Sequence, residues 1–242
     1  MCGRYLLIDE AFDIRDIIAA AEKNSKLGPV GLPTSQPDSA ASRTDFAVSR
    51  TDSAENRPDL AENRPDAAES RTGHAFRAGE IFPGSIAPVI DKNNEARFML
   101  WGFPSPIAGK PPLINARSES AAEKRTFRDS MESRRCLIPA SGYYEWKAVG
   151  KKQKEKYEFT LPDGTSMYMA GIYTEDDKFA ILTRAASPSV IDVHDRMPVI
   201  LPKSFGEVWL NETPVVIIEA LTEMYSRHIP RRDRQQQMSL FS

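Results

Sequence analysis

A cysteine at position 2 has chemistry open to it that an internal cysteine lacks. Cysteine is small enough for the methionine before it to be removed, and loss of Met1 leaves one residue carrying both a free α-amine and a thiol. The amine, with an ordinary pKa of about 7.7 to 8.0, is partly neutral near physiological pH and adds to an aldehyde as a Schiff base. The thiol, with an ordinary pKa of about 8.5, then closes a five-membered thiazolidine ring. The plain alternative is that Cys2 is an ordinary residue of a first strand. Cys136 forms no C-x-x-C pair with it, and the histidines are His74, His194 and His228. Neither a disulfide nor a metal site is therefore expected to hold the fold, and no cofactor is called for.

Glu145 lies in Tyr143-Tyr144-Glu145-Trp146, where strand alternation points its side chain to the face opposite Tyr144 and Trp146. A carboxylate in such surroundings loses water and its pKa rises towards general acid/base use; the alternative is an exposed strand glutamate paired with a lysine. His194 opens His194-Asp195-Arg196-Met197-Pro198 on a loop entering a strand at 199–201. It is either a solvated or satisfied histidine or a proton shuttle, to which an ordinary pKa of about 6.5 is suited. Trp101 and Phe103, in Trp101-Gly102-Phe103, are either core residues or platforms on which exposed bases stack.

Several elements must position these groups. The chain has 242 residues, 40% of them hydrophobic, enough to bury a sizeable core. Apolar runs at 4–8, 85–90, 96–101, 136–139, 143–147, 157–161, 167–173 and 179–183 read as strands. The turn Pro162-Asp163-Gly164-Thr165 predicts a hairpin over 157–173. Helices are expected after Asp9, with Ile14, Ile17, Ile18 and Ala21 on one face, at 120–131 with a Ser120–Glu123 capping box, and at 214–225. Many strands with few helices between them predict an α+β fold: a single domain with a mainly antiparallel, barrel-like sheet and flanking helices.

A heptad repeat over 42–72 interrupts this pattern, running from Ser42-Arg43-Thr44-Asp45 to Ser70-Arg71-Thr72. Pro58 and Pro65 break any helix and no heptad position is consistently large and apolar, so 39–73 reads as a disordered insertion within one domain. Residues 42–71 hold 5 Arg against 7 Asp or Glu, leaving 27 basic and 27 acidic residues elsewhere. Any groove for a polyanion must then be a local basic cluster.

Five pieces in order, Met1-Cys2-Gly3-Arg4, Trp101-Gly102-Phe103, Asn115-Ala116-Arg117-Ser118-Glu119, Tyr144-Glu145-Trp146 and His194-Asp195-Arg196-Met197-Pro198, resemble the SOS-response-associated peptidase (SRAP) family. The resemblance runs over 1–230 outside the insertion. It implies that Cys2 bonds covalently to the aldehyde of an abasic site in single-stranded DNA and shields the lesion. It also implies that Glu145 and His194 move protons in that reaction. On this reading Asn115 orients the ring-opened sugar, while Arg117 and Arg196 offer forked donors to phosphates and Arg4 is a further phosphate contact. Two departures stand out: Ile81-Phe82-Pro83-Gly84 replaces an asparagine-containing stretch, and no match to the family's closing C-terminal strand is visible. Two other readings are a cysteine peptidase using Cys2, His194 and Glu145, chiefly to remove Met1, and a non-catalytic DNA-binding module.

The tail over 231–242 passes from basic and polar residues to an apolar end. Within it Gln237-Met238-Ser239-Leu240-Phe241 resembles peptides that dock on the bacterial sliding clamp, with Gln237 at the rim of a pocket and Met238, Leu240 and Phe241 as its apolar contacts. No membrane span and no secretory signal is legible, so the expected setting is the cytoplasm, in company with the nucleoid, and no membrane partner is expected.

Overall fold

The computed structural model describes residues 3–8, 12–24, 78–150, 153–201, 203–211 and 224–229. Cys2, Asp9, the repeat insertion, the tail and all but the end of the helix expected at 214–225 lie outside these residues.

Five strands close on themselves: β3 (Ile86–Ile90), β4 (Ala96–Trp101), β10 (Lys178–Ala185), β9 (Met167–Tyr173) and β6 (Arg135–Ala140). Every pairing in the ring is antiparallel except β4 with β10. β5 (Asn115–Arg117) continues the β4 edge of β10, also parallel. On the other edge, β9 and β10 separate beyond the Ile181–Gly171 pair, and β11 (Arg196–Pro198) and β12 (Ile200–Leu201) enter between them. Val199 bridges the gap, its N–H donating to Leu182 O and its carbonyl accepting from Ala170 N, both at 2.9 Å. Gly171 is dictated by crowding: a Cβ there would stand 2.5 Å from Ile138 Cδ1 and 2.9 Å from Cys136 Sγ.

A second sheet runs β13 (Tyr225–Ile229), β8 (Lys154–Thr160), β7 (Gly142–Ala148), β1 (Arg4–Leu7) and β2 (Gly79–Ile81). β1 shows the half-buried alternation: Tyr5 and Leu7 are buried, whereas Arg4 and Leu6 are partly exposed. Tyr5, Tyr143 and Phe159 from this sheet join Met99, Trp101, Ile138, Met169 and Phe179 of the barrel in one core. Alternate residues of the barrel strands, such as Leu137, Ala170, Ile172 and Leu182, face a second cluster with Met131 and Trp209. The short helices α2 (Ser118–Ala121), α3 (Arg128–Ser133) and α4 (Gly206–Asn211) supply its cover, while α1 (Phe12–Asn24) packs Ala21 and Ile17 against Ala96 and Phe98.

The α+β, barrel-centred architecture agrees with expectation, and three local expectations do not. β8 and β9 do not form a hairpin; they sit in different sheets, and β8 pairs with β7 and β13. The turn at 162–165 is real, with Gly164 at φ +69° and its N–H donating to Leu161 O, yet a turn reverses the chain without choosing the neighbours of the strands it joins. The single helix at 120–131 is two short ones, and Ser120 lies inside α2, where its carbonyl, not its side chain, meets Glu123 N at 3.2 Å. A closing strand does exist, β13, whose pattern Tyr-Ser-Arg-His-Ile hid it from a search for apolar runs. Among the described residues no helix is long and apolar enough to cross a membrane.

Candidate active site

β1 enters the second sheet with Arg4 opposite Tyr144 and Tyr5 opposite Tyr143. Gly3, at its start, lines an open cavity of about 420 Å³ together with Arg4, Glu145, Trp146, Lys154 and His194. The arrangement follows from pleating: Tyr143 stacks on Phe159 in the core at 5.1 Å, and Tyr144 and Trp146 share the opposite face with Lys156, whose ammonium lies 3.7 Å from the Tyr144 ring centre. Glu145, between them, takes the Tyr143 side of the sheet and is 2% exposed. Burial pushes its carboxyl up to about 7, against the lowering effect of a hydrogen bond from the Trp146 backbone.

His194 follows a turn anchored by its own N–H donating to Val190 O at 3.1 Å. The backbone N–H of Arg196 donates to His194 Nδ1 at 3.0 Å. Burial lowers the His194 pKa, while Asp195 Oδ1, 2.9 Å from Nδ1, pulls it back. The cavity thus brings together a carboxyl that titrates near neutrality and an imidazole biased to its neutral form.

Arg4 frames the cavity from the other face. Its guanidinium lies 4.5 Å from the Phe82 ring centre and 5.1 Å from that of Trp146, and Glu80 Oε2 is 3.6 Å away. Lys156 also donates to Glu80, so one carboxylate ties two cations beside Trp146.

Other predicted residues lie elsewhere. Asn115 and Arg117 stand in β5 opposite Ile181 and Thr183, Asn115 half-buried and Arg117 exposed, and neither lines the cavity. Arg196 gives both terminal nitrogens to Glu119, at 2.6 and 2.7 Å, and one of them also to Thr183 O at 2.6 Å. Its fork is engaged within the fold. The ion pair joins the Asn115–Glu119 motif to the His194–Pro198 motif and holds the Glu119 carboxyl down at about 2.

Trp101 and Phe103 are core, 0% and 4% exposed, which corrects their reading as stacking platforms. Trp101 donates Nε1–H to Ile114 O at 2.9 Å and packs on Tyr5 and Phe179. The aromatic at the cavity is instead Trp146, quoted in the sequence only as a flank of Glu145. Lys154 had no distinguishing signal among its lysine neighbours. Among the described residues no cluster of three His, Cys, Asp or Glu is placed to hold a metal.

A family model described as SOS response associated peptidase (SRAP) matches residues 1–232. The abasic site processing protein YobE of Bacillus subtilis is 36% identical over 131 residues, 49% of this chain and 60% of that protein. The abasic site processing protein YedK of Escherichia coli is 32% identical over 142 residues, 54% of this chain and 64% of that protein. The chain thus spans less than two thirds of the length of either relative. A crystal structure of a Bordetella bronchiseptica protein shares the fold, with a TM-score of 0.62 and 20% identity, covering 95% of this chain and all of that one. With the family match spanning the barrel, the second sheet and every residue that lines the cavity, the chain belongs to the SOS response associated peptidase (SRAP) family.

Proposed function

We propose that this protein processes abasic sites in single-stranded DNA by forming a covalent thiazolidine crosslink through Cys2. The observation that carries this reading is that Gly3, Glu145 and His194 line one cavity. Consecutive Cα atoms are about 3.8 Å apart, so Cys2 stands one peptide from that wall whatever its own conformation. The relatives named as abasic site processing proteins supply the substrate class.

The chemistry balances without a cofactor. The α-amine adds to C1′ of the ring-opened sugar to give a carbinolamine, which loses water as an iminium. The thiol sulfur then attacks the same carbon and its proton is released, so aldehyde and aminothiol become thiazolidine and water. Glu145, titrating near neutrality, protonates the departing hydroxyl, and neutral His194 accepts the thiol proton. Arg117, exposed at the end of β5, meets the DNA backbone outside the cavity.

The test is incubation with single-stranded DNA bearing one abasic site, read as a heat-stable shifted band. Cys2→Ala abolishes the band and Cys2→Ser leaves at most a weaker one, because oxygen closes and holds such a ring less well than sulfur. Full crosslinking by protein shown by mass spectrometry to keep Met1 overturns the mechanism.

The tail adds a second element to this reading: Gln237, Met238, Leu240 and Phe241 dock the enzyme on the sliding clamp with an affinity on the order of micromolar, since so short a peptide offers few contacts. Leu240→Ala with Phe241→Ala abolishes binding to purified clamp and leaves crosslinking intact; unchanged clamp affinity rejects the docking.

A further inference from the structure

The proposed chemistry accounts for Glu145 and His194 but assigns nothing to Lys154, the remaining ionisable group on the cavity wall. Lys154 opens β8 opposite Ala148, just past the β7–β8 turn, and its side chain is exposed. Each other ionisable group of the wall is unsuited to an anion. Glu145 is an acid, and the His194 ring is held towards its neutral form by burial. Arg4 is stacked between Phe82 and Trp146 and paired with Glu80. Lys154, by contrast, makes no ion pair among the described residues. Its charge is nevertheless felt at the reaction centre, where it is one of the groups that lower the His194 pKa.

The aldehyde carbon and the phosphates on either side of an abasic sugar belong to one nucleotide, so a cavity that admits the aldehyde also meets a phosphate. A lysine ammonium is a compact point charge with three donors and suits a single phosphate oxygen pair that a committed arginine fork cannot reach. We propose that Lys154 is the phosphate-holding residue of this cavity, its ammonium fixing a phosphodiester that flanks the aldehyde-bearing sugar. This inference rests on the abasic-site reading above. It makes the site selective for a sugar within a strand over a free aldehyde of the same reactivity.

Three probes test it: 2-deoxyribose, 2-deoxyribose 3,5-bisphosphate and a single-stranded oligonucleotide with one abasic site, each followed by the mass of the adduct against time. The unaltered protein prefers the bisphosphate to the free sugar, and Lys154→Gln reduces that preference about tenfold. The same variant flattens the salt dependence of oligonucleotide binding by the ~0.7 expected of one lost phosphate contact on a single strand. An unchanged preference overturns the proposal, as does a loss seen with the oligonucleotide but not with the bisphosphate, which places the contact on a remote phosphate. If the unaltered protein forms no adduct with any of the three, the abasic-site reading itself fails.

Discussion

Arg196 forks onto both oxygens of Glu119 and holds its carboxyl at about 2, whereas burial pushes Glu145 up to about 7. The same side chain thus becomes a permanent anion that ties α2 to β11 in one place and a proton carrier in the other. Replacement of Glu145 by Gln slows crosslinking by roughly 10²- to 10⁴-fold, the usual range for a lost general acid/base, and leaves affinity for intact single-stranded DNA nearly unchanged. A variant that bound poorly but reacted normally once bound would contradict the role. The raised pKa also has a stability consequence. Between pH 4.5 and about 7 the folded protein keeps a proton on Glu145 that the unfolded chain has released. The contribution is full below that window and is lost as pH rises through it, on the order of 3 kcal/mol in all. Urea unfolding of Glu145→Gln should lack this fall between pH 4.5 and 7, and identical pH profiles for the two proteins would disprove the burial argument. The cysteines diverge in the same way: Cys136 is wholly buried beside Gly171, and burial, followed by the charge of Asp91, pushes its thiol well up. An internal thiol so placed is inert.

Helices α2, α3 and α4 have six residues or fewer and are too short to hold themselves. Arg135, on β6, holds two of them by their C-terminal ends. Its guanidinium donates to Met131 O and Glu132 O of α3, at 2.7 and 3.1 Å, and to Trp209 O and Leu210 O of α4, at 2.7 and 3.3 Å. A cation there also suits the negative end of each helix dipole. Replacing Arg135 by Met keeps the aliphatic stem and strands four carbonyls, so urea unfolding should show a loss of about 3 kcal/mol. Arg135→Lys should recover only part of this, since one ammonium cannot serve both helices; full recovery would mean that charge alone is needed. The capping-box expectation failed for another reason: Ser120 lies inside α2, so its backbone carbonyl and not its hydroxyl meets Glu123 N.

At the scale of the molecule, the insertion separates elements that the fold holds together. β1 and β2, on either side of it, pair through Tyr5–Ile81, Leu6–Glu80 and Leu7–Gly79, and Asn24 at the end of α1 donates to Ala96 O at 3.2 Å. We expect deletion of 42–72 with a short flexible linker to leave cooperative unfolding and crosslinking intact, because the cost of closing a loop changes only slowly with its length. Loss of a cooperative thermal transition in that deletion would show that the repeat packs on the domain. What the sequence determined by itself was whatever depends on near neighbours: the two-residue alternation of the strands, the side of β7 on which Glu145 stands, and the aminothiol latent in Cys2. Burial patterns report that a face is covered but not by what, and so the partners were decided only by the tertiary structure. That is why β8 joined β7 and not β9, why Trp101 went to the core while Trp146 took the cavity, and why Arg196 met Glu119. Each of those choices turns on contacts between residues far apart in the chain, whose free energies appear only once the barrel and the second sheet have closed on each other.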